Sequence, residues 1–258
     1  MAAASQCNSI RRLVVNADDF GRSSSINQAV IRAHREGILT TASLMVDEPA
    51  FDEAVALAKA NPRLGVGLHL ALSECPIAAG FRFFFKPSLR PHLKAQIRAQ
   101  LDKFISSGVT MDHVNSHHHL HMHPSVIGIL LQCLRDMKFA HVRLTWEPLW
   151  INVRNIGGRR FRNVLHALIY DILARRARPA FRRDQIRHPK FVFGLMQNHA
   201  VDEAYVNQLL PLLPEGDSEL YSHPSLDQFR HEFEALTSPR VREAVERLGI
   251  RLIRYQDL

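Results

Sequence analysis

Short apolar segments alternate with amphipathic helical patterns along almost the whole chain, and this alternation restricts the fold more than any other feature. Seven segments are rich in apolar and β-branched residues and are predicted as strands, at 13–15, 41–46, 66–72, 111–116, 142–146, 191–196 and 219–222. Helices are predicted between them, including one capped by Ser25 and others at about Pro49–Ala60, at Leu89–Ser106 and from Pro124. Strands that alternate with helices form parallel βαβ units, so we expect an α/β fold with a closed or partly closed barrel.

A chain of 258 residues is long enough for one substantial core, and we expect a single domain over 1–258 with a basic helical excursion at about 152–190. No apolar run approaches the roughly 20 residues that span a bilayer. Met1–Ser9 lacks the pattern of a secretory signal. The three cysteines are far apart, which favours a cytoplasmic protein over a disulfide framework, and Cys133 is expected to pack in a helix; they are Cys7, Cys75 and Cys133.

The formal charge is +8, and only six of the 33 basic residues are Lys. An Arg-rich surface suits phosphate, nucleic acid or an anionic membrane, although codon usage in a GC-rich genome gives the same composition. A basic nucleic-acid-binding protein is the non-enzymatic alternative, but histidines at the ends of predicted strands favour a chemical site, so we expect no nucleic-acid partner.

Two adjacent carboxylates, Asp18 and Asp19, follow the first predicted strand. Carboxylates this close repel each other unless they share a cation, so we expect one to bind a divalent metal and the other to act as a base. A turn or a helix cap is the alternative, because Asp is common in both.

Histidines follow three other predicted strands at the edge where a parallel α/β fold collects its reactive groups. His69 ends the third strand, where a buried core histidine is the alternative interpretation, and His223 follows the last one as a candidate general acid. A cluster follows the fourth strand, and in an extended chain His117, His119 and His121 would share one face. Neutral imidazoles that converge in this way favour metal binding or hydrogen bonding over a surface tract.

One carboxylate and two imidazoles form a familiar metal site for hydrolysis. The chain has no GxGxxG after the first strand, no GxxxxGK[ST] and no GxSxG, so nucleotide-binding and serine-hydrolase motifs are absent from the sequence. A phosphoester or a cyclic amide would suit the same metal centre.

Four segments give the chain a resemblance to the YdjC-like carbohydrate deacetylases: Val15–Gly21, Gly67–Leu70, His113–His121 and Ser222–Pro224. The resemblance implies a TIM-barrel-like fold, seven-stranded or distorted, with the active site at the C-terminal strand ends. It implies removal of an N-acetyl group from an amino sugar. It further implies that Asp19, His69 and His117 bind the metal, that Asp18 is the base and that His223 is catalytic. His119 and His121 are assigned to substrate binding or to support of the ligands.

Within this family the Phe83–Pro87 run and the Gln96–Gln100 helix resemble the HpnK subgroup, which is associated with hopanoid biosynthesis. That resemblance implies an N-acetylglucosaminyl hopanoid lipid as substrate, with a chitooligosaccharide as the alternative. The metal it favours is Mg²⁺, with Zn²⁺ or Mn²⁺ as alternatives. The connector Ala71–Arg82 is shorter than in the relatives that we would compare, which weakens the substrate assignment but not the metal chemistry.

The basic segment 159–178 combines arginines with an apolar stripe. Such a stripe fits peripheral contact with an anionic inner membrane, where a lipid-linked substrate would lie. A helix that packs on the barrel with arginines at its rim is the alternative.

Overall fold

The computed structural model describes residues 10–72, 86–152, 160–197 and 199–258. Met1–Ser9 with Cys7, the connector from residue 73 with Cys75, the Phe83–Phe85 part of the aromatic run, and Arg159 lie outside the described residues. Predictions that fall on those segments therefore stay predictions.

In the described ranges seven strands form one sheet, and every pairing between them is parallel. The strands are β1 (Arg11–Phe20), β2 (Thr41–Leu44), β3 (Gly65–Leu70), β4 (Met111–Ser116), β5 (Phe191–Phe193), β6 (Gly216–Ser222) and β7 (Arg251–Ile253). Their order is β4-β3-β2-β1-β6-β5, and β7 pairs with the first half of β1. The predicted α/β class with parallel strands is confirmed.

The segment 141–146 connects the two ends of this order. Val114 N in β4 donates to His141 O (3.0 Å), and Val192 N in β5 donates to Trp146 O (2.9 Å). The segment therefore closes the sheet into a distorted barrel. The prediction of a regular strand at Val142–Trp146 was wrong. The segment makes only isolated bridges, because it passes from β4 to β5. The sequence pattern did not reveal β7, which has only three residues and an exposed arginine, Arg251.

Helices connect the strands on the outside of the barrel. They are α1 (Ser24–Glu36), α2 (Phe51–Ala60), α3 (Arg90–Ser106), α4 (Pro124–Asp136), α5 (Leu149–Asn152), α6 (Arg160–Arg183), α7 (Glu203–Leu209), α8 (Arg230–Thr237) and α9 (Pro239–Arg247). The prediction of Ser25 as the N-cap was wrong by two residues: Ser23 caps α1 by accepting from Ile26 N, and Ser25 Oγ instead accepts from Leu226 N.

The two faces of β1 separate the main core from the polar interior of the barrel. Leu13, Val15 and Ala17 belong to the core between sheet and helices, whereas Asn16 and Asp18 face inward, as the strand period of two requires. Cys133 is buried in α4, as predicted. Among the described residues, no helix is both long and apolar enough to cross a membrane.

Candidate active site

A bulge at the end of β1 brings both carboxylates to the same place. The register of β1 with β2 shifts between Ala17 and Phe20, and Asp19 has a left-handed φ of 64°. Adjacent residues of a regular strand face opposite sides, whereas a bulge can redirect one of them. Gly21 makes the following turn with φ 94°, and a Cβ there would lie 2.9 Å from Met45 O. A glycine is therefore required directly after the aspartate pair.

Asp19, His69 and His117, the three predicted metal ligands, lie together. Asp19 Oδ1 is 3.3 Å from His69 Nε2 and 3.2 Å from His117 Nδ1. One ligand atom from each residue lies within 4.8 Å of the other two. Asp19 Oδ1 and His69 Nε2 are buried and have no hydrogen-bond partner among the described residues, and such atoms are costly unless something binds them. A carboxylate oxygen and two imidazole nitrogens are the donors of many divalent metal sites, so the residues fit a metal.

Asn115 lies in β4 and fixes the orientation of His69. Asn115 Oδ1 lies 2.6 Å from His69 Nδ1, so Nδ1–H donates and Nε2 keeps its lone pair towards Asp19. Burial lowers the pKa of His69, but the negative charges of Asp18 and Asp19 more than offset it and raise the pKa. Burial likewise opposes ionisation of Asp19, yet His117 and His69 hold its pKa well below the ordinary value. This centre therefore attracts positive charge.

Asp18 lies next to the three ligands and is held by a buried arginine that sequence reasoning missed. Arg143 is wholly buried and binds Asp18 through both terminal nitrogens, at 2.8 and 3.1 Å. The other side of its guanidinium binds Glu219, which also accepts from Tyr255 Oη at 2.5 Å. Burial would raise the pKa of Asp18, but Arg143 and then His69 hold it below the ordinary value, so Asp18 is ionised.

The histidine cluster is not extended, and the prediction that alternate histidines share a face was wrong. The chain coils over His117–Met122, where His118 and His119 have left-handed φ values of 55° and 54°. His119 consequently lies 3.0 Å from Tyr221 Oη, away from the predicted ligands, although it lines the cavity. His121 is wholly buried between Ser116 and the carbonyl of Arg143.

Both of these histidines are neutral at neutral pH. Burial, followed by the charge of Arg143, lowers the pKa of His121 to about 3 and that of His119 well below its ordinary value. They are therefore suited to hydrogen bonding rather than to carrying a charge.

His223 lies on another wall of the same cavity. Its backbone N donates to Glu232 Oε2 at 2.5 Å, and its Nδ1 lies 4.0 Å from the same oxygen. The cavity has a volume of about 430 Å³, within the range of small-molecule sites. Its other walls include Asp18, His69 and His117, the apolar Ile169 and Leu173 of α6, and Tyr170, Tyr221 and His199.

Two further residues of this region, Glu232 and His199, were not singled out from the sequence. Glu232 is a helical glutamate among many, and His199 follows no predicted strand directly. For Arg143 a signal did exist: a basic residue inside an apolar predicted strand needs a buried partner.

One model of a known protein family matches most of the chain. The family model described as YdjC-like protein matches residues 12–247. The chain belongs to the YdjC-like protein family. The match includes every candidate site residue, from Asp18 to His223.

Curated relatives of this YdjC-like chain are named carbohydrate deacetylases. The protein of Brevibacillus brevis is 37% identical over 149 residues, which are 52% of this chain and 60% of that protein. The protein of Geobacillus stearothermophilus is 36% identical, and the match covers 47% of this chain and 55% of that protein. The chain therefore spans little more than half the length of these two relatives. The protein of Clostridium beijerinckii is 27% identical over 96% of this chain and 100% of its own length.

A solved structure resembles the YdjC-like chain over its full length. It is a protein of Enterococcus faecalis V583 with the provisional name of a cellobiose-phosphate cleavage protein, determined at 1.70 Å resolution. Its TM-score is 0.69 with 25% sequence identity, and the match covers 96% of this chain and 99% of that one. This likeness supports the fold.

Proposed function

We propose that the chain is a metal-dependent hydrolase that removes the N-acetyl group from an acetylated amino sugar. The observation that carries the proposal is the convergence of Asp19, His69 and His117, in which two buried ligand atoms find no hydrogen-bond partner in the segments that the structure describes. The names of the curated relatives supply the reaction class.

A divalent metal at these three residues would acidify a bound water and polarise the acetyl carbonyl. Asp18 is the proposed base, because it is ionised and lines the cavity, and Arg143 fixes its position. Its Oδ1 is engaged by Asn16, Asn115 and Arg143, whereas Oδ2 accepts only from Arg143 among the described residues. Oδ2 is therefore the oxygen that would take a proton from water.

His223 is the proposed general acid. The departing amine needs a proton, and an imidazolium on a wall of the same cavity can supply one. His119 and His121 are proposed to support the site, since their hydrogen bonds hold Tyr221, Ser116 and the backbone of Arg143 in place.

The identity of the metal is proposed separately from its presence. The family resemblance favours Mg²⁺, whereas two imidazole donors also suit Zn²⁺ and Mn²⁺. Elemental analysis of the purified protein, followed by reconstitution of the stripped protein with each ion, distinguishes the three.

The finer substrate proposal is an N-acetylglucosaminyl hopanoid lipid, with a chitooligosaccharide as the alternative. The apolar wall that α6 contributes to the cavity supports a lipid-linked sugar. On the same helix, Leu165, Leu168 and Ile172 are exposed, and Arg176 follows them one turn further on. This surface would contact an anionic membrane while the cavity takes up the sugar.

The decisive experiment incubates purified protein with an N-acetylglucosaminyl lipid and with chitooligosaccharides, and measures released acetate with and without a chelator. Release that the chelator abolishes and added metal restores supports the proposal. Release that is indifferent to the chelator rules out the metal role, and no release from any acetylated sugar rules out the reaction.

Sedimentation with liposomes tests the membrane contact. We expect binding to anionic vesicles at low salt, and weaker binding when Leu168 and Ile172 are both changed to Ser. Absence of the protein from the pellet at low salt would end this part of the proposal.

A further inference from the structure

His199 lies beside His223 in the cavity wall, and three of its features are unusual. Its φ of 68° is in the left-handed region, which non-glycine residues seldom adopt. Its ring stacks on Phe229 with centroids 4.5 Å apart and planes at 10°, and lies 4.3 Å from the ring of His223. Its Nδ1 is buried and has no hydrogen-bond partner within the described part of the chain.

Contacts with helix α8 maintain the left-handed backbone conformation of His199. His231 Nε2 lies 2.9 Å from the carbonyl oxygen of His199 and donates to it. The buried carboxylate of Glu232 accepts from Val201 N at 3.0 Å and, through its other oxygen, from His223 N. Backbone strain of this kind persists only where the surroundings maintain it, and it is frequent at functional sites. One helix therefore holds both the segment of His199 and that of His223.

The surroundings of His199 determine its protonation state. Burial, and then the neighbouring His223, lower the pKa of His199 to about 4, so its imidazole is neutral at neutral pH. A neutral imidazole has one N–H donor and one acceptor nitrogen. An enclosed N–H without a partner is less tolerable than an enclosed lone pair, which favours the proton on Nε2. Nε2–H is then the ring donor that His199 can offer from the cavity wall.

We infer that His199 is a sugar-binding residue that donates a hydrogen bond from Nε2 to a hydroxyl oxygen of the acetamido sugar bound beside His223. The inference rests on the proposed function and adds a specificity-determining residue to it. The two histidines then have different roles: His223 is the proposed proton donor to the amine, and His199 orients the sugar ring that carries the amine.

Two substitutions separate this role from a structural one. His199→Phe retains an aromatic ring for the stack on Phe229 but removes the donor. His199→Asn loses the ring but tolerates a left-handed backbone, and its amide does not reach as far as Nε2. The two variants disturb packing and backbone in opposite ways, so a defect that both share reports the lost donor. His92→Asn, at an exposed position of α3, is the matched control.

The test measures kcat and KM for acetate release from N,N′-diacetylchitobiose, binding of N-acetylglucosamine by calorimetry, and Tm. We expect both variants to bind sugar about tenfold more weakly and to raise KM by a similar factor, as loss of one hydrogen bond predicts, with a smaller change in kcat. The control should match the wild type. An unchanged KM and unchanged sugar binding in His199→Phe would overturn the inference, as would a fall in kcat alone.

The wild type separates the two proposals. If it binds the sugar but releases no acetate, the proposed function fails, and the calorimetric comparison still decides the role of His199. If it neither binds nor hydrolyses these sugars, both proposals fall together.

Discussion

Arg143 donates hydrogen bonds to Asp18 from both terminal nitrogens of its guanidinium. Nη1 lies 2.8 Å from Oδ2, and Nη2 lies 3.1 Å from Oδ1. The pair is inaccessible to solvent, and Glu219 occupies the other side of the same guanidinium. The guanidinium of Arg143 is thus the cation for two buried carboxylates. Tyr255 Oη also donates to Glu219, and the amide of Asn115 also donates to Asp18.

Removal of that cation is expected to destabilise the fold. Arg143→Met leaves Asp18 and Glu219 buried without a positive partner, and we expect the free energy of unfolding to fall by about 3–5 kcal/mol, measured by urea denaturation. Adding Glu219→Gln to the variant removes one of the two unpaired charges and should recover part of the loss. No recovery in the double variant would contradict this account of the network.

Asp18→Asn is expected to abolish catalysis without loss of the metal. The amide retains the shape of the carboxylate but cannot take a proton, so acetate release should fall by about 10²–10⁴-fold while metal affinity stays close to that of the wild type. Asp217→Asn makes the same change at the opposite end of the barrel, where Asp217 pairs with Arg12, and should leave turnover intact. Turnover that survives in Asp18→Asn would remove Asp18 from the mechanism.

Asn115→Ala is expected to weaken the metal site although Asn115 is not a proposed ligand. Without the acceptor at 2.6 Å, His69 loses the bond that fixes its tautomer. Supporting residues of this kind change metal affinity by about 10–100-fold, which competition with a chromogenic chelator would measure. Asn207→Ala on α7 is the control, since its side chain bonds only within its own helix among the described contacts. Equal affinity in wild type and Asn115→Ala would contradict the orienting role.

Asp112 is expected to contribute to stability in a pH-dependent way. Burial would raise its pKa, but His113 and then the backbone amides of Gln256 and Tyr255 lower it. A carboxyl whose pKa is lower in the folded state stabilises the protein above its unfolded pKa of about 3.9 and loses that contribution as the pH falls towards the folded value. The free energy of unfolding, measured from pH 6 downwards, should therefore fall more steeply below about pH 4 in the wild type than in Asp112→Asn. Identical slopes would show that Asp112 does not contribute.

Sequence reasoning placed the candidate residues at one edge of the sheet because the position of a residue along a predicted strand can be read from the sequence. Asp18, Asp19, His69, His117 and His223 all lie at or just after strand ends, and strand ends of one sheet meet at one edge. Their convergence therefore followed from the strand pattern without any knowledge of side-chain geometry.

The parts that could not be predicted depend on contacts between distant segments. The turn at His118 and His119 has left-handed backbone at two histidines, which no propensity indicates. The strain at His199 arises from His231 and Glu232, which are helical and look like ordinary surface residues in the sequence. The burial of Arg143 depends on Asp18 and Glu219 at the same time, and only the folded barrel shows that both reach it.

The hydroxyl of Tyr255 links the segment after β7 to the candidate site. Tyr255 Oη donates to Glu219, Glu219 binds the guanidinium of Arg143, and Arg143 binds Asp18. A fragment without β7 and Tyr255 leaves a buried oxygen of Glu219 short of one donor, so it should fold poorly and remain inert.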